Sequence, residues 1–136
     1  MPKTTNVFKK VLVVDDYEAH RERIIRVLKS CGYLKGNDIV VEAEDGEKAV
    51  EIARTEIFSL ITMDLCMERM DGDKAIEIIR KFDTKTPIVV ITLWCGDESR
   101  VIAETCGAIC AIEKDRVEFT LPEFLEQYGF LNPSGA

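Results

Sequence analysis

Three aspartates follow short apolar runs at two points of the chain. Asp15 and Asp16 come directly after the run at residues 11–14, and Asp64 comes directly after the run at residues 60–63. If both runs are parallel strands, their carboxyl ends meet at the sheet edge where open α/β folds bind ligands. Carboxylates converging there repel one another unless a cation neutralises them. Oxygen ligands at this density favour Mg²⁺ over zinc, so the sequence predicts a magnesium site.

Two further polar side chains follow the later apolar runs. Thr92 comes after the run at residues 88–91, and Lys114 comes shortly after the run at residues 108–112. A hydroxyl can donate a hydrogen bond to a phosphoryl group, and an ammonium group together with a metal ion can balance its charge. One of the carboxylates can then act as the nucleophile that forms an aspartyl phosphate. The whole set predicts a phosphoryl site.

The elements that must position these residues alternate between strand-like and helix-like segments. Apolar β-branched runs are separated by segments with helical apolar spacing, which indicates a βαβα order. Most runs are apolar at successive positions, as in a parallel sheet covered on both faces. We predict an α/β fold: a flavodoxin-like, doubly wound, five-stranded parallel sheet of order 2-1-3-4-5 with five helices. The fourth helix is expected near residues 97–105, and the last is expected to begin near Thr120, with Pro122 in its first turn, and to stop at Gly129.

Length and composition exclude several classes of protein. The chain has 136 residues and a net charge of −7, which disfavours direct contact with nucleic acid or anionic membranes. Its longest stretch without a charged residue, residues 86–96, is too short to span a bilayer. The amino terminus lacks the apolar run of a secretory signal, and the five cysteines contain no C-x-x-C pair. We expect one domain over residues 1–136, with an ordered core at about 8–130 and a tail at 132–136, in the cytoplasm.

Four segments of the chain carry a resemblance to a known family. Residues 11–16 resemble the first strand and acidic pair of the receiver domains of two-component response regulators. Residues 64–72 resemble the D-x-x-M-P-x-M-D-G segment of that family, and residues 87–92 resemble its switch strand. Residues 107–115 resemble its G-A-x-x-Y-x-x-K-P segment. The resemblance covers almost the full length and implies a single-domain receiver without an output domain.

The resemblance also implies a role for each site residue. Asp64 is the expected phosphoryl acceptor; Asp16 and Asp64 bind Mg²⁺ directly, Asp15 binds it through water, and Cys66 contributes only its backbone carbonyl. Thr92 and Lys114 contact the phosphoryl group. When this group is present, Thr92 moves inward and the surface of the fourth helix, fifth strand and fifth helix rearranges for a partner.

The chain departs from the family pattern at several positions. Glu68 and Asp115 stand where the family usually has proline, and the second change disfavours a cis peptide there. Ala111 stands where the family usually has an aromatic switch residue. Leu93 and Trp94 follow Thr92, and we expect them to shield the phosphorylated Asp64 from water.

The expected function is a signalling switch or phosphoryl shuttle rather than an enzyme. Its phosphoryl donor is a histidine kinase or a histidine phosphotransfer protein, and its signal passes to a downstream protein, with no nucleic-acid or membrane partner. One alternative is an inactive receiver-like scaffold that binds partners without phosphotransfer. Another is a flavin-binding carrier of the flavodoxin type, although Asp15 and Asp16 would repel its phosphate. The single histidine, His20, is expected to be an exposed surface residue outside the acidic cluster.

Overall fold

The computed structural model describes residues 8–67, 69–93 and 96–131. The predicted tail at 132–136 and the positions Glu68 and Trp94 therefore lie outside the described residues. Strands and helices alternate, with one short 3₁₀ turn between the fifth strand and the last helix. In chain order they are β1 (Lys10–Val14), α1 (Glu18–Ser30), β2 (Ile39–Ala43), α2 (Gly46–Thr55), β3 (Leu60–Met63), α3 (Gly72–Arg80), β4 (Ile88–Thr92), α4 (Asp97–Cys106), β5 (Cys110–Glu113), the 3₁₀ turn (Lys114–Arg116) and α5 (Val117–Gln127).

The five strands form one parallel sheet in the order β2-β1-β3-β4-β5, as predicted. Val14 of β1 pairs with Met63 of β3, so the residues that follow them, Asp15 and Asp64, leave the sheet side by side. At the other half of the sheet, Thr92 pairs with Glu113, the residue before Lys114. The register thus brings Asp15, Asp64, Thr92 and Lys114 to the carboxyl edge of the sheet.

Apolar side chains cover both faces of the sheet. Leu12 and Ile61 belong to the core under α2, α3 and α4, whereas Val11 and Leu60 belong to the core under α1 and α5. Alternate residues of one strand therefore serve opposite cores, which explains why the central runs are apolar at successive positions. The apolar runs predicted a sheet covered on both faces, and the edge strand β2 departs from this, because within it only Ala43 is buried.

The last helix begins earlier than predicted. α5 starts at Val117, directly after the 3₁₀ turn, and Pro122 lies inside it rather than in its first turn. Val117 and Leu121 are both buried one turn apart, so packing against the sheet fixes the helical start before the proline. β5 is also displaced from the predicted run, and lies at residues 110–113. None of the helices in the described ranges is both long and apolar enough to cross a bilayer.

The ion pair between Arg23 of α1 and Glu118 of α5 has a defined pH dependence. Arg23 donates to both carboxylate oxygens of Glu118, at 2.5 and 2.6 Å, and this pairing lowers the pKa of Glu118 from 4.5 to about 2. A lowered pKa in the folded state contributes stability above pH 4.5, which is lost as the pH falls towards 2. We expect the urea midpoint of Glu118→Gln to lie below that of wild type at neutral pH, with the difference shrinking over that window. Both side chains are partly exposed, so the difference is small and falls with added salt.

The matched control for this comparison is Glu123→Gln, an exposed glutamate on the same helix. Because Glu123→Gln leaves the Arg23–Glu118 pair intact, its urea midpoint should not show the difference from wild type that shrinks between pH 4.5 and 2. A difference between wild type and Glu118→Gln that stays constant from neutral pH down to the acid limit of folding would contradict the prediction.

Candidate functional site

The three aspartates meet at the carboxyl edge of the sheet. One carboxylate oxygen from each of Asp15, Asp16 and Asp64 lies within 4.8 Å of the others. Asp15 is fully buried and Asp64 nearly so, whereas Asp16 is exposed. Backbone hydrogen bonds fix Asp15 and Asp64, since the Asp15 N–H donates to the Ala43 carbonyl and the Asp64 N–H donates to the Val14 carbonyl.

Lys114, which follows the edge strand β5, extends its side chain into this acidic cluster. Its Nζ lies 2.6 Å from Asp15 Oδ2 and 3.2 Å from Asp64 Oδ2, and the side chain is almost fully buried. The contact between Lys114 Nζ and Asp15 Oδ2 is an ion pair whose angles do not suit a hydrogen bond, and Asp15 Oδ2 accepts no hydrogen bond from another described residue. The ammonium group therefore partly neutralises two buried carboxylates that would otherwise repel each other.

The environment of Asp64 disfavours its charged form. Burial is the main cause and raises the pKa of Asp64 above its ordinary value, and the negative charge of Asp15 acts in the same direction. Lys114 opposes this shift, as does a hydrogen bond from the backbone of Cys66. A buried carboxylate with a shifted pKa beside a specific charged partner is characteristic of functional sites.

Thr92 completes the predicted set at the wall of a cleft. It is the last residue of β4 and is buried, and it lines a cleft of about 580 Å³ together with Asp64 and Lys114. Leu93 lines the same cleft with an exposed side chain. Its partner in the predicted shielding, Trp94, lies outside the described residues, so the shielding stays a prediction.

The loop after β3 is packed tightly against the start of α3. The Gly72 N–H donates to the Leu65 carbonyl at 2.9 Å, and a Cβ at Gly72 would overlap the backbone carbonyl oxygen of Asp64. Glycine is thus required here by close approach and not by an unusual φ angle. Cys66 lies on this loop with an exposed side chain, and the metal role of its carbonyl stays a prediction.

The donor set suits a hard divalent cation. The three clustered ligand atoms come from carboxylates, and Asp15 Oδ2 is a buried oxygen that lacks an aligned donor. Mg²⁺ binds through one or two carboxylates while keeping several waters, and the exposed Asp16 leaves room for these. The residues present therefore fit Mg²⁺ at this edge.

The expectation for His20 was wrong. Its side chain is about a quarter exposed; Nδ1 lies 2.9 Å from Lys114 Nζ and 3.6 Å from Asp15 Oδ1. Its ring packs against Tyr17 with centroids 4.8 Å apart, and both residues line the cleft. No local pattern could have shown this, because His20 and Lys114 are 94 positions apart in the chain.

The segment after Lys114 is held without the proline that the family pattern would place there. Asp115 lies in the 3₁₀ turn, and the described part of the chain contains no cis peptide bond. The Asp115 carbonyl accepts a hydrogen bond from Arg23 Nη2 at 3.3 Å. Helix α1 therefore contacts this segment through the backbone of Asp115 as well as through the side chain of Lys114.

Comparison with known proteins identifies the class to which this fold and site belong. Residues 11–126 match the family model of the response regulator receiver domain, and the chain belongs to that family. Receiver domains are signalling domains rather than classical enzymes, and they generally bind Mg²⁺ at an acidic pocket.

Relatives of known sequence include both short and long proteins. The protein named CcdB of Bacillus subtilis is 32% identical over 117 residues, which cover 86% of this chain and 88% of the relative. The transcriptional regulatory protein ZraR of Klebsiella oxytoca is 30% identical over 119 residues, which cover 85% of this chain but only 26% of the relative. This chain therefore corresponds to a minor part of the longer regulator.

Solved structures share the same architecture. The chemotaxis protein CheY4 of Vibrio cholerae superposes with a TM-score of 0.73 at 28% identity, covering 89% of this chain and 98% of that chain. A receiver domain protein from Methanospirillum hungatei gives a TM-score of 0.77 at 22% identity, covering 90% of this chain and 94% of that chain. At 22% identity, the likeness to the Methanospirillum hungatei protein shows a shared fold and no more.

Proposed function

We propose that this receiver domain is a phosphorylation-dependent signalling switch or phosphoryl shuttle that accepts a phosphoryl group on Asp64. The observation that carries the proposal is the approach of Lys114 Nζ to within 3.2 Å of the Asp64 carboxylate, beside two further aspartates. A binding scaffold has no physical need for a cluster of buried carboxylates and a buried lysine, because such groups cost stability.

The reaction is phosphoryl transfer from a phosphohistidine of the donor protein. A carboxylate oxygen of Asp64 attacks phosphorus, an O–P bond forms, and the N–P bond of the donor breaks with its electron pair going to the imidazole nitrogen. Lys114 balances negative charge on the transferred group, and the Thr92 hydroxyl donates a hydrogen bond to it. Asp64, Thr92 and Lys114 line the same cleft, which supports the assignment of roles.

Mg²⁺ is the cofactor proposed for this site. Asp16 and Asp64 would bind it directly, Asp15 would bind it through water, and the carbonyl of Cys66 would add a further oxygen. When bound, Mg²⁺ neutralises phosphoryl oxygens during transfer. The part of this chain is to hold the carboxylates in place, and Asp15 is the most firmly held: it is fully buried, and its Oδ1 accepts from the Tyr17 N–H at 2.9 Å.

The proposed donor is a histidine kinase or a histidine phosphotransfer protein, as is general for this family. We place the reaction in the cytoplasm, because Cys31, Cys66 and Cys106 carry free thiols of the kind that reducing compartments maintain. The chain at most promotes its own phosphorylation and dephosphorylation.

The proposed output surface comprises α4, β5 and α5. β5 is an edge strand, and the flanking helices expose large apolar side chains, Val101 on α4 and Phe119 on α5. Ala111 of β5 is half-buried against the core and offers no aromatic ring, so coupling to the site runs through other residues. A downstream protein that reads the phosphorylated state would dock on this surface.

The test is an intact-mass measurement with Mg²⁺ and a histidine-phosphorylated donor protein. Wild type should gain the mass of one phosphoryl group, whereas Asp64→Ala should gain none, because the nucleophile is gone. The control is Asp97→Ala, an exposed aspartate at the start of α4, which should be phosphorylated like wild type.

Two outcomes would contradict the proposal. Phosphorylation of Asp64→Ala at the wild-type level would place the acceptor elsewhere. No phosphorylation of wild type by any of several kinases and phosphotransfer proteins, with Mg²⁺ bound, would favour a scaffold that does not take part in phosphotransfer.

A further inference from the structure

Lys114 makes a third contact, to a residue outside the predicted site. Besides the two aspartates, its Nζ lies 2.9 Å from His20 Nδ1. An ammonium group has three N–H donors and no acceptor, so Nδ1 must accept in this hydrogen bond. Among the described residues this is the closest aligned hydrogen bond of Lys114, since the 2.6 Å contact to Asp15 Oδ2 is not aligned and the Asp64 bond measures 3.2 Å.

The imidazole ring is itself held in place. It contacts the ring of Tyr17 in a tilted arrangement, with an interplanar angle of 60°, and the backbone N–H of Tyr17 donates to Asp15 Oδ1 at 2.9 Å. One turn further along α1, Arg23 binds the carbonyl of Asp115 and the carboxylate of Glu118. Two residues of one helix face therefore contact the lysine side chain and the backbone directly after it.

His20 differs from the other partners of Lys114 in one important respect. Asp15 and Asp64 both belong to the carboxylate cluster that a cation would use, whereas His20 lies beside that cluster and carries a nitrogen. A carboxylate oxygen engaged by a cation is a weaker acceptor for the lysine. The Nδ1 acceptor of His20 is not one of the carboxylate oxygens that a cation would occupy.

We propose that His20 is a positioning residue for Lys114, whose Nδ1 holds the ammonium group facing Asp64, where the phosphoryl group binds. This inference rests on the proposed function of Asp64. It predicts that His20 contributes to binding of a phosphoryl group and contributes little to binding of Mg²⁺ alone.

The test compares His20→Asn with His20→Leu. Asparagine keeps an acceptor oxygen near the position of Nδ1 but removes the ring, whereas leucine keeps much of the side-chain bulk and removes the acceptor. The probe is beryllium fluoride, which mimics a phosphoryl group on a carboxylate, titrated calorimetrically at saturating Mg²⁺. Mg²⁺ is titrated separately, and the unfolding midpoint of each variant is recorded.

We expect His20→Leu to weaken beryllium fluoride binding about tenfold, the loss of one hydrogen bond to a charged group. His20→Asn should retain most of the affinity, and Mg²⁺ affinity should be nearly unchanged in both. Glu22→Ala, an exposed change on the same helix, should bind like wild type. His20→Ala provides a second acceptor-free variant if His20→Leu does not fold.

Each other outcome has a defined meaning. Wild-type affinity in the acceptor-free variants, or equal weakening in His20→Asn and His20→Leu, would overturn the positioning role and leave the proposed function standing. Failure of wild type to bind beryllium fluoride in the presence of Mg²⁺ would overturn the proposed function itself.

Discussion

Replacing Lys114 with methionine is expected to lower the free energy of unfolding by about 3 kcal/mol in Mg²⁺-free buffer at neutral pH. The side chain is almost fully buried, and its Nζ lies within 3.2 Å of carboxylates from both Asp15 and Asp64. Methionine fills the space but leaves two buried carboxylates without a cation. In wild type Lys114 opposes the rise in the pKa of Asp64, so in the variant this pKa should rise further. The loss of stability should therefore become smaller as the pH falls and the carboxyl group of Asp64 is protonated.

Mg²⁺ should reverse much of this loss. The ammonium group contacts carboxylates of the same cluster that would hold the metal ion, so the variant should bind Mg²⁺ more tightly than wild type and gain more stability from it. Urea unfolding with and without Mg²⁺ measures both effects, with Lys48→Met, an exposed lysine of α2, as the control. Equal unfolding free energies for wild type and Lys114→Met without the ion would show that Lys114 does not neutralise the cluster.

The second large effect is expected from Gly72→Ala. The new methyl group would overlap the carbonyl oxygen of Asp64 and lie 2.9 Å from Met63 Cγ, so the end of β3 must shift. Overpacking of this kind costs about 1–3 kcal/mol, against a gain of at most about 1 kcal/mol from replacing glycine in a helix, so we expect a net loss of stability. Displacement of the acceptor carboxylate should also slow phosphorylation by about a hundredfold, because transfer depends on precise placement.

The matched control for Gly72→Ala is Gly36→Ala. Gly36 has a φ of +50° and nothing within 4 Å of its added Cβ, so alanine there introduces backbone strain without a clash at the site. This variant should lose stability yet keep the wild-type rate of phosphorylation per folded molecule. Phosphorylation of Gly72→Ala at the wild-type rate would contradict the prediction.

Much of the fold could be predicted because its signals are local. The apolar runs of β1, β3 and β4 are buried at every position in the sheet, as their composition indicated. The signal was weaker at the edges. β2 is only partly buried along its length, and α5 begins at Val117 because tertiary packing buries that residue ahead of Pro122.

The sequence by itself determined the fold class and the meeting of the strand-end residues at the carboxyl edge. Asp15, Asp64, Thr92 and Lys114 each follow or end a strand, and the order of a parallel sheet then brings them together. Periodicity and chain order are sufficient for this step, because a strand end is a position that the sequence itself marks.

Only the tertiary structure decided the contacts made across elements. That His20 reaches Lys114, that Arg23 reaches Glu118, and that Gly72 leaves no room beside Asp64 depend on how helices pack on the sheet. The first two contacts join residues 94 and 95 positions apart. Local patterns specify which face of a helix is buried, but the distance between two side chains on different elements is set by packing of the whole domain.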